Sequence, residues 1–134
     1  MNSMESSLKV EIGGYQTGNV PLLLHEIRHA LRNLLDNGET TTIDLRSLPM
    51  APGEQERLLE TLGKGEVSVR LDALGESEIT ESSYAGVWLI IHYNSNGEVM
   101  GKFIEITRMP AILKARSADI EESLAALQMR LEEI

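Results

Sequence analysis

His25, Glu26 and His29 spell His-Glu-x-x-His in the segment HEIRH. On a helix, residues four apart share one face, so two imidazoles can hold one metal ion while the glutamate polarises a bound water. This is the zinc-hydrolase string, with His25 and His29 as ligands and Glu26 as base. Whether it can act depends on the helix that carries it. With Leu23 at zero and about 100° per residue, the apolar stripe spans about −20° to 120°, while His25 and His29 fall near about 200° and about 240°. Both imidazoles therefore point away from the core, beside Arg32 and Asp36. A zinc site also needs a converging third ligand. His92 is the only other histidine, and no motif ties it to this helix. The expectation is a solvated helix face, with no metal, no cofactor and no catalytic residue. The open alternatives are a hydrolase built on His25, Glu26 and His29, or a partner surface that uses His25 and His29.

Other chemistry-bearing patterns are sparser. Gly63-Lys64-Gly65 lacks the spacing and the Ser/Thr of a phosphate loop. Glu76, Glu78 and Glu81 cluster around one strand, which reads as a solvated edge rather than a paired-carboxylate site. Trp88 is the only tryptophan. It is either a core anchor or, as aromatics often are, an interface anchor.

Composition narrows the classes. The 134 residues fit one domain, and 42% are hydrophobic, enough for one core. There is no cysteine, so this chain forms no disulfide, no thiolate metal site and no cysteine nucleophile. The formal net charge of −9 argues against a nucleic-acid backbone or an anionic membrane surface as partner. MNSMESSLKVEI does not read as a signal peptide, and no run approaches the ~18 apolar residues of a membrane span. A cytoplasmic protein is the expectation.

Residues 1–7 are polar and expected to be loose. Leu8, Val10 and Ile12 alternate as a short strand broken at Gly13-Gly14. A helix follows from about Pro21 to Asn37, with Asn19 as cap and Gly38 as its left-handed terminator. Thr41 to Leu45 is a strand, and Gly53 to Leu62 a shorter helix closed by Gly63. Val67 to Leu71 alternates as a strand, and Ser77 to Ser83 reads as a polar edge strand. Val87–Tyr93 and Val99–Thr107 flank Asn94-Ser95-Asn96-Gly97 as a hairpin. Ser117 caps a last helix with the stripe Ile120, Leu124, Leu127 and Leu131. The fold class is α+β: a single domain, residues 1–134, in which an antiparallel β-meander packs with about three helices.

The hairpin strands are apolar on both sides: Val87, Leu89 and Ile91 on one, Trp88 and Ile90 on the other. Either both faces are covered within the chain, or one is kept for a partner or a second copy.

Four segments together resemble a known family. They are IDLRSLP at 43–49, LLETLGKGEVSVRL at 58–71, SEI then GVW within 77–88, and EITRMP with the AILKARSADI tail. With NVPLLLHEIRHAL before them, the stretch 19–120, about three-quarters of the chain, is similar to the HupH/HyaF family of nickel–iron hydrogenase expression and formation (maturation) proteins. The resemblance implies a non-catalytic, cytoplasmic accessory chaperone that acts on the iron–sulfur small-subunit precursor before export. Many members are longer, with two copies of such a domain. A single copy fits acting alone, as a homodimer, or with another maturation factor. The client-binding surface is expected at the Trp88/Ile90 face, the Gly65-Glu66 turn, or the His25/His29 side of the first helix. The competing function is a homo-oligomeric interaction domain with no hydrogenase client.

Overall fold

The computed structural model describes residues 18–73 and 75–134; the expected strand at Leu8–Ile12 and the loose 1–7 segment lie outside them. Helix α1, Asn19–Asn37, buries Val20, Leu23, Ile27, Ala30 and Leu34. These recur every three or four residues, the spacing that lines one helix face. Gly38 takes the left-handed conformation at φ 72 and its N–H donates to the Leu34 carbonyl at 2.9 Å, as the sequence foreshadows. The expected cap at Asn19 is not made. Gly18 occupies the N-cap position, and the Asn19 amide instead donates to the Pro49 carbonyl. It ties the start of α1 to the loop before the next helix.

Strand β1, Thr41–Asp44, leads through a 3-10 turn at Leu45–Ser47 to helix α2, Glu54–Leu62. Glu54 is buried, and its carboxylate accepts from the Ala51 N–H at 2.8 Å. An acidic side chain at a helix start satisfies a backbone donor and suits the macrodipole. Four strands follow as a meander: β2 Ser68–Ala73, β3 Gly75–Glu81, β4 Val87–Tyr93 and β5 Val99–Ile106. At the β4–β5 turn, Asn94 Oδ1 accepts from the N–H groups of Asn96 and Glu98, both at 2.9 Å. A 3-10 turn at Ala111–Leu113 precedes helix α3, Ser117–Glu133. Arg116 takes the N-cap position with no side-chain cap, so Ser117 is the first helical residue and not the cap.

The sheet order is β1-β5-β4-β3-β2, with every neighbouring pair antiparallel. One polarity reading is corrected. β3 is polar, but it is interior, and β2 is the edge. The cause is coverage: α1 and α2 pack over β1, β5 and β4, leaving the same face of β3 and β2 to polar side chains such as Thr80, Glu78 and Ser68.

Pairing explains the two-sided apolar strands. Leu89 faces Ile104, and Val87 faces Ile106, under α1 and α2. On the opposite face Ile79, Trp88 and Ile90 form a second buried cluster with Val69, Leu71 and Leu113. β4 is a central strand with core on both sides.

Candidate binding surface

The helix that carries HEIRH is amphipathic, and its apolar stripe is fixed by the core. His25, Glu26 and His29 are accordingly exposed. His29 and Glu26 border a shallow surface depression with Arg32, Asn33 and Asp36, and Arg32 pairs with Asp36 at 3.5 Å along the helix. Among the described residues, no three His, Cys, Asp or Glu side chains converge as a metal site. His92 lies on β4, its Nδ1 2.7 Å from the Ser77 hydroxyl and its ring edge-on to Phe103. The three histidines are not brought together.

Trp88 is only 6% exposed and its indole N–H donates to the Thr107 carbonyl at 3.0 Å. Ile90, also 6% exposed, stands next to it in the same cluster. Their side chains pack against this chain's own Ile79 and Leu113 and present no free anchor. Gly65 and Glu66 are exposed in the loop before β2. Gly65 is set there by close approach: its N–H donates to the Glu81 carbonyl at 2.7 Å, and a Cβ would run into the Ser82 carbonyl.

A further concavity lies elsewhere, and of the positions singled out from the sequence as a client surface only Trp88 borders it. α2 forms one wall, with Glu56, Leu59, Glu60, Gly63 and Lys64. The floor is the uncovered half of the helix-bearing sheet face: Leu89 and Ile91 from β4, Thr80 and Glu78 from β3, Ser68 from β2. Its volume is about 790 Å³, within the range of sites that take a sizeable ligand or peptide segment. Leu89, Leu59 and Ile91 are only partly buried. The charged lining is Glu56, Glu60 and Glu78 against Lys64, so the field at the rim is negative. Glu78 accepts from the Tyr93 hydroxyl at 3.0 Å, and that bond, with burial and the neighbouring Glu76 charge, raises the Tyr93 pKa. The Gly65-Glu66 turn lies in the chain between two lining residues, Lys64 and Ser68.

Among the described residues, the groove lining brings together no nucleophile–base pair. What it offers is an apolar floor and a negative rim.

Comparison with known proteins agrees with the resemblance read from the residues. The family described as HupH hydrogenase expression protein, C-terminal conserved region, matches residues 17–134. The solved structure of the hydrogenase expression protein HupH from Thiobacillus denitrificans superposes with a TM-score of 0.84 at 44% identity, covering 89% of this chain and 99% of that one. The hydrogenase expression/formation protein HoxQ of Azotobacter vinelandii is 29% identical over 81% of this chain, and the HupH protein of Rhodobacter capsulatus 29% identical over 87%. The chain spans 38% and 42% of those two relatives' lengths.

Proposed function

The chain belongs to the HupH hydrogenase expression protein family, and from that premise we propose that it is a non-catalytic chaperone of nickel–iron hydrogenase maturation. It holds the iron–sulfur small-subunit precursor in the cytoplasm, before export, in the groove between α2 and the β4–β3–β2 side of the sheet. The observation that carries this reading is the groove itself: a partly exposed apolar floor of Leu59, Leu89 and Ile91 inside a rim of Glu56, Glu60 and Glu78. An apolar floor retains an unfinished or extended client segment by burying its apolar surface, and acidic rims select segments flanked by lysine or arginine. No bond is made or broken. The mechanism is steric cover, released when the client's own fold displaces it.

The test is charge reversal of the rim. Glu56→Lys with Glu60→Lys changes two exposed side chains and leaves the core alone. We expect client affinity to fall about 10-fold or more, with a reduced salt dependence, as for electrostatically complementary interfaces. Unchanged affinity in titration calorimetry would remove the groove from the account.

A further inference from the structure

Helix α3 has no buried residue, and every one of its side chains is exposed. Yet it carries the large apolar residues Ile120, Leu124, Leu127, Met129 and Leu131, 56%, 69%, 61%, 65% and 64% exposed, with Ile134 just past its end at 92%. Met129 aside, these residues are spaced four, three, four, three. A strict alternation of this kind has a period of 3.5 residues, the repeat that keeps a seam facing another helix over its whole length. α1, which covers the sheet, flanks its buried three–four seam with Leu24 and Leu31, a broader stripe than α3 offers.

Among the described residues nothing covers this seam, and the connection before α3 is too short to carry it onto the helix-bearing face. The turn preceding α3 packs Leu113 onto the Trp88 cluster, on the side of the sheet opposite the groove. Four residue steps from Leu113 to Ser117 reach at most about 14 Å. Rounding the edge past β3 and β2 and crossing a layer takes about 20 Å, from strand spacings of ~4.8 Å and a layer of ~10 Å.

We infer that α3 is a self-association helix whose seam packs in parallel against α3 of a second copy of this chain. With Ile120, Leu127 and Ile134 at d positions and Leu124 and Leu131 at a, Arg116 falls at g and Glu121 at e. Parallel pairing sets Arg116 of each copy against Glu121 of the other, and the next such pair is Ser123 with Gln128, which carries no charge. An antiparallel pairing makes no opposite-charge contact at these positions. Leucine at a with isoleucine at d also suits bundles of more than two strands; the spacing assigns a helical seam, and the Arg116–Glu121 pairing is what points to a second copy as its occupant. This inference is independent of the groove and its client.

The experiment uses sedimentation velocity together with one introduced cysteine. The chain has no native cysteine, so Leu131→Cys reports on a single position. Parallel, in-register helices bring the two 131 positions together, and mild oxidation should then yield a covalent dimer in high proportion. In an antiparallel pair residue 131 lies beside residue 120, about 16 Å along the axis from its counterpart, and the cross-link should fail. The unmodified chain should sediment above its 14.8 kDa monomer mass at tens of micromolar, and Leu127→Glu should return it to monomer with an unchanged circular dichroism spectrum. A chain that stays monomeric at high concentration, an assembly that Leu127→Glu leaves intact, or the absence of the 131–131 cross-link would overturn the inference.

Discussion

Helices α1 and α3 carry the same apolar rhythm and meet different fates. In α1 the residues Val20, Leu23, Ile27, Ala30 and Leu34 recur at three and four, and all are buried against the sheet and α2. In α3 the residues Ile120, Leu124, Leu127, Leu131 and Ile134 recur at four and three, and all are exposed. Periodicity therefore establishes that a helix has an apolar face. It does not say whether the covering surface belongs to the same chain. In α1 that surface is Ile104, Ile106 and Val87 on the central strands; for α3 it must come from outside the described residues.

The comparison is broken most severely on the covered side. Trp88→Ala removes a buried ring and its bond to the Thr107 carbonyl, and should cost about 3–5 kcal/mol in a denaturant titration. A midpoint close to the parent's would mean that the ring is not core. A matched pair sharpens the contrast. Leu23→Ala on α1 should cost about 2–5 kcal/mol. Leu124→Ala on α3, the same chemistry, should fall within about 0.5 kcal/mol when measured at a concentration low enough to keep the chain monomeric. Equal losses at the two sites would show α3 to be covered within one chain.

The smallest effect concerns Glu105, on β5 beside Ile90, Phe103 and Ile112. Burial raises its pKa. The folded state therefore holds the proton more tightly than the unfolded chain, and stability falls as pH rises from the ordinary carboxylate value through the raised folded one. Glu105→Gln should flatten that fall and raise the melting temperature near neutral pH, with the difference vanishing in acid. Parallel melting curves against pH for the two proteins would contradict it.

Much of this fold is legible in the sequence because its signals are local. Gly38 ends α1, Asn94 to Gly97 makes the β4–β5 turn, and the hairpin strands are the apolar runs on either side of that turn. The caps were harder: Asn19 is drawn off by the Pro49 carbonyl, a contact thirty residues away. β3 looked like an edge because polarity reports coverage, and coverage depends on where α1 and α2 land. The exposure of His25 and His29 could be read from the helix wheel. The groove could not, since Glu60, Glu78 and Ile91 meet only through strand order, which no spacing encodes. Trp88 and Ile90 drew attention as apolar residues on a second strand face, and that face is closed by Leu113 from beyond β5.

The central claim is that this chain holds a client, and the direct measurement is binding of the purified chain to a purified iron–sulfur small-subunit precursor by titration calorimetry. The account predicts a saturable complex with basic, apolar segments of the precursor protected from hydrogen exchange, along with the α2–β4 groove. A folded, soluble precursor that shows no heat of binding and no protection at about 100 μM of each protein would contradict it.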